Sequence, residues 1–341
     1  MPQDAPAVAA LRRIAFLLER AREPTYRVQA FRRAAATVEK LSAEELDRRV
    51  AAGTLEQLQG IGKVTALAIT EAQRGETPVY LRRLESTEGR PTAEGGAELR
   101  AALKGDCHTH SDWSDGGSPI REMAEAARDL GHEYMVLTDH SPRLSVARGL
   151  SPERLREQLD VVAQLNRELA PFRILTGIEV DINEDGSLDQ EPELLARLDL
   201  VVASVHSKLR MPREEMTERM VQAIANPYTD VLGHCTGRLV VGRGRPESEF
   251  DPELVFEACR RFDVAVEVNS RPERLDPPKR LLRLAVEAGC KVAVDTDAHA
   301  PGQLDWQILG CERAAACGVP VESVINARAA GDLVAWAAGR R

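Results

Sequence analysis

Through the first 85 positions the apolar residues fall at helical spacing. Between Ala9 and Ala21, Leu11, Ile14, Leu17 and Leu18 form one stripe, the three- and four-residue recurrence of a helix with one buried face. The same pattern predicts helices over Arg27 to Lys40, Ala43 to Ala51 and Thr54 to Arg74. Between Glu85 and Glu98, Gly, Pro and small polar residues take over, the composition of a linker. From Gly105 the period changes. Seven short apolar runs read as strands: Gly105 to His110, Tyr134 to Asp139, Arg173 to Ile182, Leu198 to His206, Asp230 to His234, Val264 to Asn269 and Lys291 to Asp297. Amphipathic helices separate most of them, as at Glu153 to Leu169, Glu214 to Asn226 and Lys279 to Glu287. Strands alternating with helices build a parallel sheet, and seven such units suit a barrel near TIM size. The expected organisation is a helical domain over 1–85, a linker over 86–104 and an α/β domain over 105–341.

Composition adds limits. Hydrophobic residues make up 43% of the 341, enough for a real core, while aromatics are only 4%, which disfavours a base-stacking platform. No apolar run reaches the roughly 18 residues of a membrane span. Arg12 and Arg13 interrupt the apolar part of the N-terminal stretch, so a secretory leader is not expected and the chain reads as cytoplasmic. The six cysteines include no C-x-x-C pair, so buried free thiols are expected rather than disulfides or a zinc ribbon. The net charge of −9 is uneven: the first 104 residues carry +3 and the remainder −12. A basic front half suits an anionic polymer and an acidic back half suits cations.

The chemistry gathers at the strand ends. Cys-His-Thr-His closes the first strand, Thr-Asp-His the second, Gly-Ile-Glu-Val-Asp the third, Ser-Val-His-Ser the fourth, Gly-His-Cys the fifth and Asp-Thr-Asp-Ala-His the seventh. In a parallel barrel these ends converge on one rim, where active sites lie. His108 and His110 are two apart and so share a strand face, as Asp297 and His299 do at the last strand. Imidazoles suit zinc or manganese, and Glu179 offers a carboxylate able to bridge two cations. One histidine at a strand end is commonly structural; six of seven there form a set. His132 stands before a strand and reads as structural. Cys107 should point away from the metal face by alternation. No G-x-S-x-G or reactive-cysteine context is present.

In order, these motifs resemble those of the PHP (polymerase and histidinol phosphatase) family. The resemblance implies a distorted (β/α)7 barrel with three divalent metal ions, zinc or manganese, with iron as a further occupant. It would place His108, His110, Glu179 and Asp297 on the first ion, Glu179, His206 and His234 on the second, and Asp115, His140 and His299 on the third. Asp115 stands where some phosphatase-type members have histidine. Glu179 and Asp297 would be the catalytic carboxylates. Such ions lower the pKa of water and neutralise phosphoryl oxygens, which implies phosphoester hydrolysis by metal-activated hydroxide. Arg243, Arg245 and Arg271 are cationic candidates near the rim. Lys208, Arg238, Asn269 and Arg274 are the preferred substrate-phosphate candidates, because the segments around the three cations resemble PHP domains fused to polymerases.

In the front half, Leu55-x-x-Leu58-Gln-Gly60-Ile-Gly62-Lys63-x-x-Ala66 reads as a helix-hairpin-helix. Gly60 and Gly62 permit a tight turn, whose amides at a helix start can seat a DNA phosphate, with Lys63 adding charge. Such a contact carries no sequence information. Tyr26-Arg-Val-Gln-Ala-Phe-Arg-Arg-Ala-Ala resembles the N-terminal 8-kDa-type domain of family X DNA polymerases. The whole therefore resembles a bacterial family X polymerase without its palm, and polymerase activity is not expected. The lyase lysine of that family corresponds to Ala68, so lyase activity is not expected either. The leading reading is a phosphoesterase acting on DNA ends, as a 3′-5′ exonuclease or 3′-end processing enzyme. The alternatives are a phosphatase of a small phosphomonoester of the histidinol-phosphate type and a non-enzymatic DNA-binding or scaffold module.

Overall fold

The structure, a computed structural model, describes residues 5–87 and 95–341. It divides into two compact units, Met1–Thr92 and Ala93–Arg341.

The first unit is a helical bundle of α1 (Pro6–Arg20), α2 (Thr25–Val38), α3 (Ala43–Ala52), α4 (Lys63–Gln73) and α5 (Val79–Thr87). The apolar stripe of α1 is its axis. Leu11, Ile14, Leu17 and Leu18 are buried, and α1 packs on α2, α4 and α5. Arg32 donates to both oxygens of Glu19, at 3.0 and 2.9 Å, tying α2 to α1. Ser42 caps α3 by accepting from the Glu45 amide at 3.2 Å. Over Thr54 to Arg74, helical by periodicity and a hairpin by its glycines, the chain forms a short 3-10 turn, Leu55–Gln57, then the turn at Gly60 and Gly62, then α4. Gly60 has φ +87°, which a residue with a side chain adopts only under strain. The leucine spacing runs straight through that break, because both arms of the hairpin face the same core.

The second unit holds seven strands: β1 (Gly105–Thr109), β2 (Tyr134–Leu137), β3 (Arg173–Asp181), β4 (Leu200–Ser204), β5 (Val231–Leu232), β6 (Ala265–Asn269) and β7 (Val292–Asp295). All neighbours are parallel and follow chain order. The edges come together where Thr109 bridges Ala298 and the His110 amide donates to Ala298 O at 2.8 Å. The result is a nearly closed (β/α)7 barrel. Its lower interior is an apolar floor of Tyr134, Val136, Leu175, Val202, Val231, Ala265 and Ala293, closed from below by Ile325 and Leu333. Alternate residues face outward: Met135 and Ile174 pack with Ile120, Met123 and Val162, and Val201, Val266 and Val294 pack with Met220, Phe256 and Leu282.

Of the expected linker, residues 88–94 lie outside the described residues. Its later part is not a linker: Ala97–Ala102 is helical, and Leu99 and Leu103 belong to the barrel's outer core. Its apolar positions are too few for periodicity to separate it from the small-residue stretch before it. All six cysteines are free and buried.

One departure bears on the site. The register between β1 and β2 shifts between Asp106 and Thr109, three residues advancing on β1 against two on β2. Such a bulge breaks alternation. Cys107 lies in the floor cluster, yet His108, the next residue, touches Glu179 and Glu267. These two carboxylates share strand faces with floor residues Leu175 and Ala265. Cys107 and His108 therefore both face inward, correcting the expectation from strict alternation.

His132 is buried outside the site. Its Nε2 lies 3.1 Å from Arg100 Nη2, so the neutral ring accepts there. Burial, then the Arg100 charge, pull its pKa down to about 3. A base whose folded pKa is depressed stabilises the fold above its unfolded pKa, near 6.5, and that contribution is lost as pH falls toward 3. Urea unfolding between pH 6.5 and 4 should show a steeper loss of stability in the wild type than in His132→Gln. The difference should approach one proton, about 1.4 kcal/mol per pH unit. Parallel profiles would mean that His132 does not titrate this way.

Candidate metal centre

The ligand-type side chains leave the upper ends of the strands, above the apolar floor. β3 presents Glu179 inward, two residues above Gly177. A Cβ on Gly177 would meet Val136 Cγ1 at 2.7 Å and Leu200 O at 2.8 Å, so the strands can close beneath Glu179 only with glycine there. Glu179 is the centre of the cluster. Its Oε2 lies 2.9 Å from His140 Nδ1, 3.3 Å from His108 Nε2 and 3.5 Å from His110 Nε2. Its Oε1 lies 2.8 Å from His234 Nε2 and 3.2 Å from His206 Nε2. Asp297 Oδ1 stands 3.4 Å from His110 Nε2 and 3.9 Å from His108 Nε2. Asp115 Oδ1 lies 3.3 Å from His299 Nε2 and 3.5 Å from His140 Nε2. All nine expected ligand positions thus meet in one chamber.

Among the described residues, three groups bring donor atoms within 4.8 Å of one another: His110, Asp115, His140 and His299; His108, His110 and Glu179; and His140, Glu179 and His206. His110 and His140 each belong to two groups, a more interlocked arrangement than the motif-derived sets. Strand hydrogen bonding stops short of several of these residues. β5 is only Val231–Leu232 and β7 ends at Asp295. Asp297 follows with φ +54°, so the chain has already left the strand where it turns this carboxylate inward.

The electrostatics favour cations. Buried ring nitrogens without hydrogen bonds include His108 Nε2, both nitrogens of His110 and of His206, His140 Nδ1 and His234 Nδ1, and Glu179 Oε2 is likewise without one. Unpaired buried polar atoms are costly, and divalent ions would satisfy those that face the chamber, one nitrogen from each ring. Burial alone would raise the Glu179 carboxyl, but His108, His206 and His140 outweigh it and hold it well below the usual range. Asp297 is also held low, Arg271 and His108 overcoming burial. Burial, with the neighbouring His299 and His140, lowers His110 well below its ordinary value, leaving the neutral imidazole that a metal requires. Burial pulls His206 down, yet Glu179 and Asp181 bring it up to about 9.

Further residues set this chamber's geometry: Glu267 lies outside the motifs, and Asp181 and Asp139 stand within them without an assigned role. Glu267 is fully buried. Its Oε1 lies 2.6 Å from His108 Nδ1, and its Oε2 accepts from the His234 amide at 2.5 Å. Asp181 Oδ1 accepts from the His206 amide at 3.1 Å and lies 3.5 Å from His206 Nδ1. Asp139 accepts from the Ser111 amide and hydroxyl, the Ser114 hydroxyl and Gln158 Nε2 at 2.5–2.8 Å, fixing the turn that carries Asp115. The signal for Glu267 was its inward register, two residues before Asn269 on β6.

The expected phosphate grips separate. Arg274 Nε donates to Asp297 Oδ2 at 3.0 Å, and its Nη1 is buried without a hydrogen bond. Lys208 is exposed, with φ +52°. Arg238 is engaged otherwise: it donates to Arg274 O at 3.0 Å and to Leu275 O, and it faces Glu247 Oε1 at 3.4 Å. It therefore holds the segment bearing Arg274. Asn269 is also committed, its amide lying 3.2 Å from both Glu267 Oε2 and Asp297 Oδ2 while its carbonyl accepts from the Arg271 amide. Arg271 Nη1 faces His299 Nδ1 at 3.0 Å, Arg245 donates to Gly237 O, and Arg243 is exposed.

In the helical unit, Gly62 begins α4 and its amide donates to Thr65 Oγ1 at 2.9 Å. The amides of Lys63 and Val64 fall in the first turn, where a helix supplies no acceptor. Beside the turn is a groove of about 400 Å³ lined in part by Tyr26, Arg27, Phe31, Lys63, Val64 and Tyr80.

A barrel of this topology with such a chamber is that of a metal-dependent phosphoesterase. The PHP domain model matches residues 106–271, and a helix-hairpin-helix domain model matches residues 3–77. A Bacillus subtilis protein described as DNA polymerase/3′-5′ exonuclease PolX is 42% identical over 234 residues, 69% of this chain and 41% of that protein. The match thus covers about two fifths of that relative's length. A probable phosphatase of Thermoanaerobacter sp. is 31% identical over 57% of this chain and 78% of its own, and one of Caldanaerobacter subterraneus is 31% identical over 60% and 79%. The chain belongs to the PHP family, joined to a helix-hairpin-helix domain, and is a hydrolase of phosphate ester bonds. No helix among the described residues is long and apolar enough to cross a membrane.

Proposed function

We propose that this chain hydrolyses phosphodiesters at DNA ends, as a 3′-5′ exonuclease or 3′-end processing enzyme, with three divalent ions, zinc or manganese, held by His108, His110, Asp115, His140, Glu179, His206, His234, Asp297 and His299. The observation that carries the catalytic part is Glu179, whose two oxygens each face a separate set of imidazoles. When bound, the ions supply the charge that makes water a competent nucleophile near neutral pH and offsets charge on the phosphoryl oxygens. The chain's own groups do the positioning. Glu179 and Asp297 remain anionic. Arg274 offers its unpaired Nη1 to a phosphoryl oxygen, a charge-assisted bond, and Arg238 and Asn269 keep Arg274 and Asp297 in place. Lys208 adds charge from the exposed rim.

The DNA assignment is supported by the hairpin, where Gly60, Gly62 and Lys63 would seat a backbone phosphate at the start of α4, and by the polymerase–exonuclease relative. The probable phosphatases, matched over most of their length, support a second reading, a small phosphomonoester. Incubation with Mn²⁺, using a 5′-labelled primer–template and histidinol phosphate in parallel, separates the two. Shortening of the labelled strand with little release of phosphate from histidinol phosphate is the expected result. Robust phosphate release with an intact DNA strand would establish the phosphatase reading instead.

A further inference from the structure

Glu267 connects candidate ligands from two strands, and among the described residues it stands outside the three groups able to hold an ion. It is fully buried, and both of its oxygens are engaged. Oε1 meets His108 Nδ1 at 2.6 Å. Oε2 accepts from the backbone amide of His234 at 2.5 Å and lies 3.2 Å from Asn269 Nδ2, whose other neighbour is Asp297 Oδ2. On the far side of the His108 ring, Nε2 is buried without a hydrogen bond and faces Glu179 Oε2 at 3.3 Å.

We propose that Glu267 is the positioning residue of the metal centre: it fixes His108 as the tautomer with a proton on Nδ1 and a lone pair on Nε2 turned into the chamber, and with its second oxygen it sets the placement of His234. The inference rests on the reading of His108 and His234 as ligands. A carboxylate acceptor behind a ligating imidazole fixes ring orientation and tautomer and makes the other nitrogen a stronger donor to a cation. Here one carboxylate does this for β1 and also pins the first residue past Gly233, where the two-residue strand β5 has ended and ladder bonds no longer hold the chain. The side chain needs two acceptor oxygens. A glutamine at 267 has one, so it must either turn its NH2 toward the His234 amide, donor against donor, or surrender His108. Aspartate keeps both acceptors on a stem shorter by one methylene.

The test compares wild type, Glu267→Gln and Glu267→Asp as full-length chains, using zinc titration and ¹⁵N-histidine NMR of the zinc-loaded protein. In the wild type, His108 should show a protonated Nδ1 and an unprotonated Nε2. Glu267→Gln should weaken zinc binding about 10–100-fold and lose or displace the His108 Nδ1–H signal. Glu267→Asp should recover part of the affinity and of that signal. The histidines around Asp115 should keep their zinc-bound signals in both variants, which a merely destabilised barrel would not do. Wild-type affinity in Glu267→Gln would overturn the inference and leave the ligand reading intact, whereas a protonated Nε2 on His108 in the zinc-loaded wild type would overturn the inference together with the reading of His108 as a ligand. A wild-type chain that binds no zinc would overturn both.

Discussion

Glu179→Gln should abolish hydrolysis of any phosphoester, a loss of at least ~10³-fold or about 4 kcal/mol of transition-state stabilisation, and should empty two ion positions together. The substitution is nearly isosteric, so the barrel has no packing reason to fail. What changes is charge and acceptor number. Five imidazoles lie 2.8–3.5 Å from the two oxygens; an amide removes the negative charge from all of them and replaces one acceptor with a donor. Because both oxygens are in use, no flip of the amide restores the lost side. Elemental analysis against turnover of a chromogenic phosphate ester checks this. A Glu179→Gln protein with wild-type ion content and turnover would show that the carboxylate bridges nothing.

Removal of residues 1–92 should lower kcat/KM on DNA ends by roughly 10²-fold or more, while a small chromogenic phosphate loses little. The same bond breaks in both cases. On the proposed function, the hairpin would contribute a second, sequence-independent attachment to a long anionic substrate, and a molecule without a backbone would gain nothing from it. The difference should shrink as salt rises, since phosphate contacts weaken by counterion release. Retained secondary structure and ion content in residues 93–341 are the control. Equal losses on both substrates would make the helical unit a structural support, and no loss on either would detach it from the reaction.

The barrel was readable because its strands are apolar runs between amphipathic helices, and the candidate ligand cluster because histidine and acidic residues gather at the ends of those runs. Periodicity could not show where a pattern breaks without changing composition. The leucines of the hairpin continue on both sides of Gly60, so periodicity runs one helix through a turn that only the two glycines mark. At β1 the single extra residue between Asp106 and Thr109 reverses the faces, and nothing in Asp-Cys-His-Thr announces it. Glu267 lies in an ordinary strand sequence; its spacing from Asn269 turns it inward, but the distance to His108, 159 residues away in the chain, is what gives it a role. Arg238 shows the opposite case. Its motif marked it as a grip, but a guanidinium beside unpaired backbone carbonyls is consumed by them, and sequence does not show where those carbonyls lie.

The bulge in β1 gives the barrel a mechanical linkage between stability and chemistry. Adjacent residues serve different storeys of the interior: Cys107 rests on the apolar floor, and His108 stands in the chamber above it. Cys107 therefore acts as a shim, its volume setting the height at which the imidazole is delivered to Glu179. In most parallel barrels two neighbouring positions on a strand face opposite sides and can vary independently. Here a change of volume in the floor is transmitted through one peptide unit to a ligand, so selection for packing and selection for metal geometry act on the same few atoms. The tolerance of this floor to repacking should be narrowest beneath β1, and it should be recorded first in ion affinity rather than in melting temperature.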